Sequence, residues 1–357
     1  MAHTIRPLLK PLNLLLLFIP VALIAELGGW SPAIIFITAA LAVVPLSGIL
    51  GDATEELAAR TGPRTGALIN ATLGNAAELI ITILAIREGL VDLVRASIAG
   101  SIIGNILLVL GASMLFGGLK RGTQKFNPSQ AGLNATLLLV TAVVLVVPSF
   151  FASAIEPDKL QVESLSVLTA GVIIVVYVLS IIYTMRANVG DSLAREAAHT
   201  PRFSLPVAIG LLTGSTVLIA LMSEFLVGAV EPMTAQLGIT ELFVGIILVP
   251  IIGNIAEHVV AIEVATKDNM DLSLGIAIGS SLQVALLVTP LLVFLSIPFG
   301  HPLALEFTTF EMVALLASCI IAAAVSMDGR SNWLEGALLV ALYLILAIAF
   351  FFLPAPA

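Results

Sequence analysis

One cysteine, Cys319, stands in 357 residues, so no intrachain disulfide can form. It lies in an apolar run and reads as a packed thiol, which leaves the redox compartment open. Charge is scarce: Asp, Glu, Lys and Arg together make 11% of the chain, against about a quarter in an ordinary soluble domain. So little charge excludes a soluble globular protein; no nucleic-acid partner is expected, though in so apolar a chain the placement of each charge says more than the net charge of -8. No HExxH pair of histidines and no cysteine cluster is present, so nothing suggests a zinc site, and no cofactor is expected. Long polar stretches are missing as well. The most extended one is 186–202, which contains DSLAREAAH.

What remains is apolar: 59% hydrophobic residues and a mean hydropathy of +1.13. A bilayer core needs about 20 apolar residues per helix, and charges, Pro/Gly clusters and turn residues divide the chain into eleven such spans. They are expected at 12–27, 31–51, 65–86, 93–116, 130–152, 163–185, 205–229, 241–265, 271–296, 303–325 and 332–353. The first has a basic start, but Glu26 and Trp30 follow it instead of a small-residue cleavage site, so it reads as a retained helix. Lys and Arg then fall twelve to one side of the membrane and three (Arg87, Arg95, Lys159) to the other. The excess belongs on the cytoplasmic face, which puts the N-terminus inside and the C-terminus outside. The basic loop with Lys120, Arg121 and Lys125 reads as a topology anchor.

The sequence also repeats itself. At a fixed offset of 179 residues, identities recur across two consecutive helices without a gap, and twelve of them carry the pattern. Gly66, Gly74, Asn75, Ala77 and Glu78 match Gly245, Gly253, Asn254, Ala256 and Glu257. Asp92, Leu93, Gly100 and Ser101 match Asp271, Leu272, Gly279 and Ser280, and the run 107–109 matches 286–288. Each half is therefore one copied unit of five helices. Five is odd, so the second copy enters the membrane from the opposite side, as in secondary transporters with inverted repeats. The fold class is all-α integral membrane, one helix plus two inverted five-helix repeats. The expected division is 1–30 for the N-terminal helix, 31–185 for the first repeat, 186–204 for a cytoplasmic connector and 205–357 for the second repeat.

Glu78 and Glu257 sit deep within spans, where a charge costs roughly 2.5 to 3.5 kcal/mol on insertion scales. At equivalent repeat positions they are expected to meet at the midplane and share one site. Two neighbouring carboxylates cannot both stay ionised cheaply, so a cation or protons must neutralise them, which makes the two natural competitors. Asn75 lies three residues before Glu78 and Asn254 three before Glu257, on the same helix faces. The following helix of each copy adds Ser101 with Asn105, and Ser280 with Gln283. This oxygen-rich set suits a hard divalent cation, calcium best, with carbonyls freed at Gly74, Gly253 and Pro250 completing the shell. His258 adjoins Glu257 and is a candidate proton relay. Glu224, Glu231, Glu263, Glu306, Glu311 and Glu335 lie nearer span ends and read as interfacial charges, with Glu224 the one placed to line an access path.

The segments GNAAELI at 74–80 and GNIAEHV at 253–259 resemble the two repeat signatures of the calcium/proton exchanger family, within the cation/calcium exchanger superfamily. NATLGNAAELI, GSIIGNILLVLG, SEFLVGAVE and KDNMDLSLGIAIGSSLQ extend the likeness over nearly the whole chain from about residue 40. The resemblance implies a multi-pass antiporter, not an enzyme, that exports Ca²⁺ in exchange for H⁺ by alternating access. Glu78 and Glu257 would carry Ca²⁺ or H⁺ in turn, with Ser101, Asn105, Ser280 and Gln283 lining their site. Its substrates would be Ca²⁺ and H⁺, its surroundings a lipid bilayer, and a homo-oligomer is compatible with the family. The membrane would be the inner or plasma membrane of a prokaryote, or a vacuolar or other organelle membrane of a eukaryote. A Na⁺-driven exchanger is the alternative, followed by a Ca²⁺-permeable channel. The 186–202 connector mixes Asp191 and Glu196 with Arg186, Arg195 and Arg202, and so differs from the strongly acidic helix of some members.

Overall fold

The computed structural model describes residues 11–61, 63–155, 159–186 and 201–354. Most of the 186–204 connector lies outside the described residues. The helices are α1 (Leu12–Leu27), α2 (Pro32–Thr61), α3 (Pro63–Leu73), α4 (Ala76–Arg87), α5 (Val91–Arg121) and α6 (Pro128–Ala154). They continue with α7 (Leu160–Tyr183), α8 (Leu205–Leu237), α9 (Glu241–Thr266), α10 (Met270–Ser296), α11 (Thr309–Ser326) and α12 (Trp333–Phe352). Among the described residues nine of these are long and apolar enough to cross a membrane, α1 is a shorter apolar helix, and α3 with α4 make one further crossing in two pieces. That gives the eleven crossings expected.

The chain clusters into two compact units, each drawing on both sequence halves. The first takes in α1 to α4 as far as Leu84, the end of α7, α8 and residues 252–256 of α9. Its core is α2 laid along α8. Phe36, Val43, Leu46 and Leu50 of α2 are buried, as are Ile219, Met222 and Leu226 of α8. Glu56 of α2 is 2% exposed; its carboxylate accepts the backbone N–H of Arg202 at 2.9 Å and of Phe203 at 3.2 Å. Arg60, one turn on, donates to the Phe203 carbonyl. This clamp fixes the backbone just before α8.

The second unit holds the rest. Its axis is α5, whose Leu93, Ile98, Ile102, Ile106, Leu110 and Met114 are all fully buried. Glycines let the neighbours approach to backbone contact. A Cβ on Gly100 would lie 2.1 Å from the Ile246 carbonyl oxygen of α9, and one on Gly336 of α12 would lie 2.2 Å from the Leu115 nitrogen. A two-stranded ribbon, β1 (Gln124–Lys125) against β2 (Arg330–Ser331), ties the end of α5 to the start of α12. Gln124 behind it donates to Ala265 O at 2.8 Å and to Asp268 Oδ1 at 3.0 Å, holding Asp268 in the left-handed region at φ 70°. α7 and α12 turn large apolar side chains such as Leu168, Val172, Leu338 and Ile345 outward, as lipid-facing helices do.

One span begins later than expected. Residues 303–308, assigned from sequence to the tenth span, are extended, and α11 starts only at Thr309, behind a capping box of Thr308 and Glu311. The strap buries Leu303, Leu305 and Phe307 in alternation. Their N–H groups donate to Ser296 Oγ (2.8 Å), Ser166 Oγ (2.9 Å) and Ser149 Oγ (2.8 Å), from three different helices, and Arg95 donates to the Glu306 carbonyl. Non-helical backbone survives at this depth because side chains satisfy it. Glu311 is thereby only 2% exposed, buried at a helix start and not the interfacial charge its position near a span end suggested.

Candidate functional site

The third crossing is interrupted where the first signature begins. α3 ends at Leu73, Gly74 N–H closes the last turn onto Asn70 O at 2.8 Å, and α4 restarts at Ala76. Gly74 and Asn75 form the turn; glycine tolerates the break and an Asn side chain competes with helical bonding. Two helix ends thus meet about midway along the crossing, and the end of a helix leaves carbonyls, as its start leaves N–H groups, outside the intrahelical pattern. Glu78 falls in the first turn of α4, where a helix N-terminus favours negative charge.

Glu78 is 1% exposed and Asn75 1% exposed. The Asn254 amide Nδ2 faces Glu78 Oε2 at 3.4 Å, a long hydrogen bond. Gly253 lies flat against the same residue: a Cβ there would sit 3.6 Å from Glu78 Cβ and 3.7 Å from its Cα. Behind it, Thr82 Oγ1 donates to the Glu78 carbonyl at 2.7 Å. Three of the expected residues, Asn75, Glu78 and Asn254, therefore lie in the first unit, and the Gly-Asn pair of the second signature meets Glu78 of the first.

The remaining expected residues belong to the second unit. Glu257 and His258 follow one another within unbroken α9; His258 is 8% exposed and Glu257 half-buried. Ser101 (1% exposed) and Asn105 (2%) stand one turn apart on α5, and Ser280 (5%) and half-buried Gln283 one turn apart on α10. α5 and α10 pack on each other. Of the six glutamates read as span-end charges, Glu224 is exposed on α8.

Sequence reasoning missed a backbone feature of this region. α5 carries a π-helical turn at Gly104–Val109 and α10 one at Val284–Val288. The Leu110 N–H reaches back five residues to Asn105 O, and Thr289 N–H to Val284 O, a pair related by the same offset of 179. A third π turn, Val244–Leu248, lies in α9 ahead of Pro250. Such turns are frequent at functional sites. The repeated Leu-Leu-Val run was the available signal, but apolar identity carries no sign of hydrogen-bond spacing.

Chemically, the first unit brings together a carboxylate at Glu78 and an amide at Asn254. Oxygen donors of this kind suit a hard cation.

Known proteins agree with this architecture. The sequence model of the family described as "Sodium/calcium exchanger protein" matches residues 31–186 and 207–352. The chain is 43% identical to a Ca²⁺/H⁺ antiporter of Aphanothece halophytica, over 95% of this chain and 96% of the relative. It is 41% identical to the Ca²⁺/H⁺ antiporter ChaA of Bacillus subtilis, over 94% and 97%. Among solved structures, native YfkE superposes with a TM-score of 0.84 at 38% identity, covering 96% of this chain and all of the other. A multi-pass chain with two copied signatures, matched end to end by such relatives, belongs to the sodium/calcium exchanger protein family.

Proposed function

We propose that this protein is a secondary active antiporter that exports Ca²⁺ from the cytoplasm in exchange for H⁺. Glu78 and Glu257 take up Ca²⁺ or protons in alternation, and Asn75, Asn254, Ser101, Asn105, Ser280 and Gln283 complete the oxygen shell. The observation that carries the reading is a carboxylate, Glu78, buried at the restart of a broken membrane helix and facing the amide of the second signature. A carboxylate in such a place needs a counter-cation or a proton, and an exchanger supplies each in turn. The names of the relatives support Ca²⁺ and H⁺ as the pair. His258, buried beside Glu257, is proposed as the proton relay.

The test is ⁴⁵Ca²⁺ uptake into proteoliposomes under an imposed pH gradient, with and without Na⁺. Uptake driven by pH alone is the expected result. The family description also covers Na⁺-driven exchange, and uptake that required a Na⁺ gradient and ignored pH would decide for that reading. Orientation is part of the proposal. In a Cys319→Ser background, cysteines at positions 120 and 267 should react with impermeant reagents from the cytoplasmic side, and one at 159 from the other.

A further inference from the structure

Two buried polar groups without partners occur where α12 packs on the π turn of α5. Asn105, in the π turn of α5, is 2% exposed and its Nδ2 has no hydrogen-bond partner. Tyr343 of α12 is 3% exposed and its hydroxyl has none either. Gly104, the residue before Asn105, faces the Tyr343 ring: a Cβ there would lie 4.0 Å from Tyr343 Cε2, the ring carbon next to the one that bears the hydroxyl. The placement is fixed by close packing further along both helices. A Cβ on Gly111 would stand 2.8 Å from Leu339 Cβ, and one on Gly118 2.5 Å from the Trp333 nitrogen, so α12 cannot slide on α5 without backbone collision.

An amide that binds a hard cation must present its oxygen and turn its NH₂ away. In a buried site that NH₂ then needs an acceptor, and backbone carbonyls in a helix are already engaged. A tyrosine hydroxyl accepts as well as donates. We propose that Tyr343 is the positioning residue for Asn105: its hydroxyl receives the Nδ2–H when the Asn105 amide turns its oxygen to the cation. The wider π turn gives the Asn105 backbone the room for that rotation. Groups behind a metal ligand commonly set its orientation in this way. The proposal rests on the reading of Asn105 as a cation ligand.

The experiment is pH-driven ⁴⁵Ca²⁺ flux against Ca²⁺ concentration in proteoliposomes of the full chain. Tyr343→Phe removes only an unpaired hydroxyl, so thermal unfolding should be unchanged. Its half-saturating Ca²⁺ concentration should rise about tenfold, the lower end of what loss of a partner behind a metal ligand costs, at unchanged maximal rate. Asn105→Asp offers oxygen whichever way it turns, so adding Tyr343→Phe to it should change nothing. Tyr343→Phe should likewise have no further effect on Asn105→Ala. A normal half-saturation in Tyr343→Phe, or the same rise in the Asn105→Asp background, overturns the role of Tyr343. Normal flux in Asn105→Ala, or no pH-driven flux in the parent, would instead remove the reading beneath it.

Discussion

The two signatures share Gly, Asn and Glu at matched positions yet run through different backbones. In the first copy the helix stops at Leu73 and restarts at Ala76, so Glu78 stands at a helix start. In the second, α9 passes unbroken through Gly253 and Asn254, and Glu257 stands mid-helix. The Gly-Asn pair therefore permits a break without dictating one. What differs lies upstream: position 250 is proline where the first copy has Ala71. Proline supplies no N–H, and the irregularity appears there as the Val244–Leu248 π turn, more than a turn before the signature. By contrast the π turns of α5 and α10 sit at the same repeat position. One carboxylate thus stands in the first turn of a helix and the other in the middle of one.

The sharpest test of that asymmetry is at the glutamates themselves. Glu78→Gln and Glu257→Gln should each reduce pH-driven ⁴⁵Ca²⁺ flux to the background of empty liposomes while the purified protein still unfolds cooperatively. If one Gln variant kept near-normal flux, the two copies would not contribute equivalent ligands, and that glutamate would leave the site.

The next largest effect separates the equivalent glycines of α5 and α10. A methyl on Gly100 would strike the Ile246 carbonyl, whereas Gly279 has open space. Gly100→Ala should cost about 1 to 3 kcal/mol by overpacking and lower Tm by several degrees. Gly279→Ala should leave Tm unchanged or raise it, since alanine loses less chain entropy in a helix. Equal shifts would show that both glycines sit in the same surroundings.

Glu56 sharpens the comparison in a different place, because its counterpart at the repeat offset is Ala235. Glu56→Ala should cost about 1.5 to 3 kcal/mol through lost charge-assisted bonds to the Arg202 and Phe203 N–H groups. The half-saturating Ca²⁺ concentration should not move. A change in affinity without a change in Tm would place Glu56 with the transport residues.

The smallest effect is expected at Asn254, whose bond to Glu78 is long at 3.4 Å. Asn254→Ala should raise half-saturation a few-fold, consistent with a net contribution of about 1 kcal/mol. A loss as complete as that of Glu78→Gln would mean that Asn254 does more than face the carboxylate.

The sequence made the crossings legible because apolar run length is a direct reading of bilayer thickness, and the repeat because matched Glu and Asn residues are costly in lipid. The offset matched Glu78 with Glu257 and Asn75 with Asn254, so both signatures were legible, but the contact between Asn254 and Glu78 was not. Three other things were not. The start of α11 was hidden because Leu303, Leu305 and Phe307 are as apolar as a helix, and the serines that satisfy their N–H groups come from residues 149, 166 and 296. The π turns were hidden because they change hydrogen-bond spacing without changing composition. Burial of Glu311 was hidden because distance from a span end says nothing of a capping box that folds the carboxylate inward.

The serine-held strap has one more consequence. A β-strand's amides are protected by a ladder that opens as a unit, but the N–H groups of Leu303, Leu305 and Phe307 each depend on one hydroxyl from a separate helix. Each stitch can be cut alone. Deuterium uptake along this stretch should therefore record the opening of α10, α7 and α6 at three neighbouring amides, making a few residues of irregular chain a local gauge of which helix has moved.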